Sequence, residues 1–262
     1  VTGETIIVER DAGVVTVTLN RPERKNAANG AMWQELYATF GDVARRREDR
    51  VLVVTGAGGA FCSGADIGDP KGISGDSDDP PLTRMRFLGS VMQALYDLPK
   101  PTIAKINGIA AGAGLSLALC CDLTVMASSA RLSEIFSRRG LSVDGGSSWL
   151  LPRLIGLHRA KELAYFADTL SADEAASIGL VNRLVVDEEI DAFVDDWARR
   201  LAAGPPIALS MTKKLLNDSG VVSMAQALED EARCQTVNFT TEDTREAMRA
   251  FSEKRDPHFT GN

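Results

Sequence analysis

Histidine is almost missing from this chain: His158 and His258 are the only two in 262 residues. With so few imidazoles a zinc centre is not expected, and no metal is assigned. The four cysteines, Cys62, Cys120, Cys121 and Cys234, form no C-x-x-C pair and are too sparse for a disulfide framework. They read as reduced thiols, which suits a cytoplasmic protein. Excess positive charge is also lacking. The formal net charge is −7 and no basic face dominates, which argues against a general nucleic-acid or polyanion binder. It leaves room for one anionic small molecule held by a few local cations. The longest uncharged stretch, Ile106 to Cys121, contains Asn107 and three glycines and falls short of the ~20 apolar residues that span a bilayer. Val1 to Glu9 carries acids and no basic segment ahead of an apolar one, so neither a secretory leader nor a membrane partner is expected.

What is present is a chain with 44% apolar residues, enough for a substantial core without cross-links. Residues 5–9 and 13–19 read as two strands, with Val15, Val17 and Leu19 alternating with threonines and Asp11-Ala12-Gly13 as the turn. Met32, Trp33, Leu36, Tyr37, Phe40 and Val43 recur at helical spacing and predict a helix near 30–47. A buried-type strand over 51–55 opens into a glycine-rich loop. The Gly, Asp, Ser and Pro content of residues 68–81 predicts a mobile surface loop. A helix over 82–97, a strand over 102–106, a second glycine-rich loop, a small-residue helix over 113–121 and a strand over 122–127 follow. Strands alternating with helices argue an α/β layered domain, in which ligands sit where strands end and helices begin. Ser171-Ala172-Asp173-Glu174 reads as a capping box and Gly179 as a helix stop. A short strand over 180–186 and helices over 188–203, 206–217, 221–236 and 241–254 complete the pattern. The C-terminal part reads as a helical layer, with an assembly surface as one role for it.

Three short segments carry the chemistry. Gly56 to Gly64 lacks both the Gly-Lys-Ser/Thr ending of a P-loop and the spacing of a dinucleotide fingerprint. It reads either as a tight connection or as a place where small residues let a ligand carbonyl approach the Ala65 N–H. Gly112-Ala113-Gly114 opens a helix and so exposes unpaired N–H groups, although close helix packing explains small residues equally well. Two such amides converging on one oxygen form an oxyanion hole. Asp144-Gly145 is an ordinary turn dipeptide taken alone. It follows the apolar Leu141 and Val143 and precedes a helix-like Trp149-Leu150-Leu151, where partial desolvation raises a carboxyl toward the range of a useful base. Gly114-Leu115-Ser116-Leu117-Ala118 nearly matches a nucleophile elbow, which requires His158 or His258 as base; a helix-packing serine is the alternative. The basic pairs Arg24-Lys25 and Lys254-Arg255 read as solvated faces or as phosphate contacts, and Arg138-Arg139 and Lys213-Lys214 as solvated faces.

With these segments in order, the chain resembles the crotonase family, the enoyl-CoA hydratase/isomerase group. The resemblance rests on Asn20-Arg21-Pro22 with Asn26-Ala27, Phe61-Cys62-Ser63-Gly64-Ala65-Asp66, Pro101-Thr102 with Asn107-Gly108, Gly112-Ala113-Gly114, Cys121-Asp122-Leu123 and Asp144-Gly145-Gly146. It continues through Leu151-Pro152-Arg153-Leu154-Ile155-Gly156 and Ala176-Ser177-Ile178-Gly179-Leu180-Val181. It implies an α/β fold: a crotonase-like spiral of ββα units over residues 1–190 and a helical C-terminal trimerisation region over 191–262. It also implies homotrimers or homohexamers and an acyl-CoA substrate, with coenzyme A arriving as part of the thioester and no separate cofactor. Ala65 and Ala113 match the two oxyanion-hole positions. Arg24, Lys25 and the stretch Ser63, Ala65, Asp66, Ile67, Gly68 match where the family holds the CoA moiety. Phe87 and its helix are expected to line the acyl pocket, and Lys254 and Phe259 to reach a neighbour's CoA.

The departures discriminate between activities. The two glutamates of family hydratases are replaced here by Ser116 and Phe136. Glu134 is close in sequence to the second position but need not share Phe136's direction. Asp144, in contrast, matches the acid of several family isomerases. A single carboxylate is enough for a proton shuttle, whereas hydration also demands activation of water. The reading is therefore an enoyl-CoA isomerase with Asp144 as base. Its rivals are a hydratase in which Asp144 or Glu134 substitutes for the missing glutamates, a Ser116 thioesterase and a non-catalytic CoA-ester binder.

Overall fold

The computed structural model describes residues 5–69 and 79–262. The first four residues and most of the loop expected over 68–81 lie outside the described residues.

The chain begins with an antiparallel pair, β1 (Ile6–Asp11) and β2 (Val14–Leu19), joined at Ala12 and Gly13. Val15, Val17 and Leu19 are buried on one face, as their alternation requires. Helix α1 (Gly30–Arg45) starts at Asn29, whose side chain accepts from the Met32 N–H, and buries Met32, Trp33, Leu36, Phe40 and Val43. Strand β3 (Val51–Gly56) is buried along its whole length because it lies between parallel neighbours on both sides.

From β3 onward the chain repeats one motion three times. β3 is followed by β4 (Ala60–Cys62) and then α2 (Pro81–Tyr96). β5 (Thr102–Ile106) is followed by β6 (Ile109–Ala111) and α3 (Ala113–Leu119). β7 (Leu123–Ala127) is followed by β8 (Arg131–Ser133), a 3-10 turn over Ile135–Arg139 and α4 (Ser147–Ile155). The first strand of each unit enters a six-stranded sheet and the second a four-stranded one. This is the spiral of ββα units that the family resemblance implies. Within the described residues the large sheet runs β1-β2-β3-β5-β7-β10 and the small one β4-β6-β8-β9, with β9 at Leu170–Ser171 and β10 at Arg183–Val185.

Helices α5 (Leu157–Phe166) and α6 (Ala172–Ser177) lie between β8 and β10 in sequence. The capping box at Ser171 and Glu174 forms with both of its hydrogen bonds, and Gly179 follows the helix with φ +79°. Helix α7 (Ile190–Ala202) packs on β2, β3, β5 and β7 through Ile190, Val194 and Ala198. Helices α8 (Pro206–Asp218) and α9 (Met224–Asn238) contain no fully buried residue, and α10 (Glu242–Glu253) buries only Asp243 and Ala250. Among the described residues no helix is long and apolar enough to cross a membrane.

Candidate active site

The two glycine loops meet because the small sheet places them side by side. Ala60 pairs with Ile109 and Cys62 with Ala110 in parallel register, so the chain leaving β4 runs beside the chain leaving β6. Their approach leaves no space for side chains. A Cβ on Gly114 would stand 2.3 Å from the Cys62 carbonyl oxygen. One on Gly64, where φ is +108°, would stand 3.0 Å from the Ala111 carbonyl oxygen and 3.9 Å from the Ala113 nitrogen. Glycine is required here by contact as well as by backbone conformation.

Each loop offers one spare amide. Ala65 forms a parallel bridge with Ala28 that uses the Gly64 carbonyl and the Asp66 N–H, leaving the Ala65 N–H outside the ladder. Ala113 is the first residue of α3, so its N–H has no intrahelical acceptor. The loop before Ala28 is held by Asn26, which is fully buried: its side chain accepts from Arg21 N and donates to the carbonyls of Ala57 and Ala60 at 2.9 and 2.8 Å. Asp66 is held by a 3.0 Å ion pair with Arg21.

Asp144 arrives from the third unit. Gly145 and Gly146 both have positive φ, +59° and +94°, and turn the chain directly into α4. A Cβ on Gly145 would stand 2.7 Å from the Ser116 Cβ, so the turn lies flat against the first part of α3. Asp144 lines a cavity of about 560 Å3, whose apolar walls include Met85, Met92, Tyr96, Trp149 and Leu150. That volume suits a small-molecule acyl group. The Asp144 Oδ1 atom is shut away from solvent without a hydrogen-bond partner. Burial pushes its carboxyl up to about 6, as the apolar flanks of this turn predict.

A second carboxyl lies behind it. Glu134 is only 1% exposed. Its Oε1 accepts from the Ser147 Oγ at 3.1 Å, and its Oε2 is buried without a partner. Burial raises it to about 7; the Ser147 hydrogen bond opposes the shift and the nearby Asp144 charge adds to it. Sequence reasoning left the direction of Glu134 open and gave it a role only in the rival hydratase reading. Glu134 directly follows strand β8, and Leu132, Ser133 and Glu134 are all buried, so strand alternation does not single it out.

Ser116 is 0% exposed and its oxygen is fully engaged: it lies 3.2 Å from the Gly112 carbonyl oxygen, 3.1 Å from that of Asp144 and 2.9 Å from the Ser147 Oγ. No histidine is among its partners, and both histidines are exposed. The serine packs the helix, and this geometry gives a nucleophile no path to an ester. Phe136 is also buried, with its ring against Gly112. Cys120 lines the cavity, and burial holds it as a thiol at about 12.

The remaining candidate residues divide into groups. Arg24 and Lys25 are exposed on a 3-10 turn next to the first loop: the Ser63 N–H donates to the Lys25 carbonyl at 3.0 Å and the Ser63 hydroxyl to that of Arg24 at 3.2 Å. Ile67 is 80% exposed and Gly68 is exposed beside it, its N–H donating to Asp66. Phe87 packs edge-on against Tyr37 at 5.8 Å, while other residues of α2 line the Asp144 cavity. Lys254 is exposed at the end of α10, and Phe259 lines a separate cavity of about 100 Å3 that shares no residue with the Asp144 cavity. Ala65 and Ala113 do not line the Asp144 cavity; Ala113 is linked to it through α3, whose first turn supports the Asp144 turn. Among the described residues no group of three or more His, Cys, Asp or Glu side chains could hold a metal ion.

This spiral, with its paired spare amides and a carboxyl at a glycine turn, is that of an acyl-CoA enzyme family. Residues 9–262 match the enoyl-CoA hydratase/isomerase family, and the chain belongs to it. Among its relatives, a probable enoyl-CoA hydratase of Rhodobacter capsulatus is 40% identical over 98% of both chains. The 1,2-epoxyphenylacetyl-CoA isomerase of Escherichia coli is 38% identical, covering 98% of this chain and 99% of its own. The crystal structure of an enoyl-CoA hydratase from Bacillus anthracis superposes with a TM-score of 0.93 at 32% identity, over 99% of this chain and 100% of the other. The protein is therefore an enzyme of this family, in which hydratase and isomerase names both occur.

Proposed function

We propose that the protein isomerises the double bond of an enoyl-CoA thioester. The observation that carries this reading is Asp144, the one carboxyl among the described residues that line the acyl cavity, with Ser116 and Phe136 at the two positions where family hydratases carry glutamates. The thioester carbonyl oxygen binds the Ala65 and Ala113 N–H groups. Asp144 removes a proton from the carbon between the carbonyl and the double bond. The electron pair moves onto the thioester oxygen, where the two amides stabilise it, each by on the order of 3 kcal/mol. The proton then returns at the far end of the allyl system, leaving a conjugated 2-enoyl ester and a regenerated carboxylate. Coenzyme A enters as part of the substrate, held at Arg24, Lys25 and the Ser63 to Gly68 stretch, with no separate cofactor.

A hydratase is the second reading, because Glu134 supplies a second buried carboxyl near Asp144. Isomerisation remains favoured because Glu134 does not line the cavity and touches Ser147 instead. Deuterium wash-in next to the thioester, together with the optical absorbance of the conjugated product, separates the two. Asp144→Asn should lower turnover by about 10²–10⁴-fold with CoA-ester binding retained. Undiminished exchange in that variant ends the assignment.

Assembly follows the same reading. Val221, Met224, Leu228, Val237, Phe239, Met248 and Phe251 are exposed on and around α9 and α10, Phe251 at 85%. A trimer or hexamer covering these side chains is proposed, and the mass in solution by light scattering tests it.

A further inference from the structure

We propose that Glu134 is a positioning residue for this site: through Ser147 and Ser116 it orders the hydroxyl protons that join the Asp144 turn to the Gly112–Ala113 peptide. The inference rests on the isomerase reading for its catalytic consequence, and on hydrogen-bond geometry for its existence.

The connection is continuous. Glu134 Oε1 lies 3.1 Å from Ser147 Oγ, which lies 2.9 Å from Ser116 Oγ. Ser116 Oγ lies 3.1 Å from the Asp144 carbonyl oxygen and 3.2 Å from the Gly112 carbonyl oxygen. All three polar side chains are buried, at 1%, 0% and 0% exposure. The Gly112 carbonyl belongs to the same peptide group as the Ala113 N–H, so a proton donated to that oxygen polarises the amide toward its acceptor. The backbone N–H of Ser116 already donates to it at 3.0 Å. The relay thus touches both halves of the site without touching the substrate.

Proton counting shows what Glu134 controls. Each serine has one hydroxyl hydrogen. With Glu134 protonated, the carboxyl donates to Ser147, Ser147 to Ser116, and Ser116 to the Gly112 or Asp144 carbonyl. With Glu134 ionised, Ser147 turns its hydrogen toward the carboxylate and the outward order is lost. A negative charge then also stands behind a site where a negative enolate must form. Among the described residues, the charged group acting on Glu134 is Asp144, from the turn before α4; its polar neighbour is Ser147 of α4, with Ser116 of α3 one step further. Cys120 approaches the far side of the turn as a neutral thiol, 3.7 Å from the Gly145 carbonyl oxygen. A carboxyl serving only to fill space would be better replaced by an apolar side chain, since burying it with an unpaired oxygen is costly.

Asp144 ionises near 6 and Glu134 near 7, both raised first by burial. Between these values the base is charged while the relay still holds its proton. Activity should therefore rise through about 6 and fall above about 7.

The test is a carbon-13 NMR titration of the ligand-free protein, labelled at the aspartate and glutamate carboxyl carbons. In the wild type the Asp144 signal should show two steps, its own near 6 and a second near 7; in Glu134→Gln the second step should be lost. Ser147→Ala removes a hydrogen bond that favours ionised Glu134, so the second step should move to higher pH. A single Asp144 step in the wild type, or a second step surviving in Glu134→Gln, overturns the proposal. Should Glu134→Gln fail to fold, the Ser147→Ala titration decides, and an unmoved second step overturns it. In parallel, deuterium exchange into a short 3-enoyl-CoA should decline above pH 7 in the wild type and not in Glu134→Gln. A decline of equal size in both overturns the proposal. Absence of all exchange alongside coupled titrations refutes the isomerase reading and upholds the Glu134 relay.

Discussion

Asp144 and Glu134 are both carboxyls raised by burial, but they occupy different kinds of place. Asp144 stands on a glycine turn at the wall of a large cavity, whereas Glu134 follows strand β8 in the packed interior behind it. Asp144 has a cavity in front of it that can hold a reacting molecule; Glu134 has Ser147, with Ser116 one hydrogen bond further. The comparison teaches that burial alone does not define a catalytic acid. Access to substrate separates a base from a group that can act only through its neighbours.

The comparison can be broken most sharply at the chemical step. Asp144→Asn should cost about 10²–10⁴-fold in turnover, and Glu134→Gln less than about tenfold at its optimum, measured as proton exchange beside the thioester. Equal losses would erase the distinction. Next comes the turn itself. Gly145→Ala places a Cβ 2.7 Å from that of Ser116 at a φ of +59°, and should destabilise the fold by about 2–4 kcal/mol in urea unfolding.

Stability against pH sharpens the other side. Glu134 holds its proton more tightly in the folded protein, near 7, than at its ordinary value of 4.5. The folded state therefore binds more protons across that interval, and its stability falls as pH rises from 4.5 through 7. The loss is on the order of 3 kcal/mol at most. Glu134→Gln should flatten that fall in unfolding midpoints measured at pH 5 and pH 8. The smallest effect is expected for Ser116→Ala, about 1 kcal/mol, because the carbonyls of Gly112 and Asp144 keep their backbone donors Ser116 N and Ser147 N.

Much of the fold was legible because its signals are local. The alternation of Val15, Val17 and Leu19, the continuous apolar run of Val51 to Val54 and the helical spacing from Met32 to Val43 each follow from one element's own burial. The small sheet was not legible in the same way. Its strands Ala60–Cys62, Ile109–Ala111, Arg131–Ser133 and Leu170–Ser171 are too short to show a period, and the first two lie within stretches that read as glycine loops. Only the family resemblance implied a second strand in each unit.

The sequence by itself determined the glycine loops, the turn after Asp144 and the departures at Ser116 and Phe136, because backbone conformation and residue identity are written position by position. The tertiary structure alone decided that Glu134 lies behind Asp144, that Ser116 is sealed from any ester, and that Phe87 packs on Tyr37. Those outcomes depend on which strand lies beside which helix. A carboxyl's proton affinity and a hydroxyl's reach are set by neighbours distant along the chain, and no local pattern encodes them.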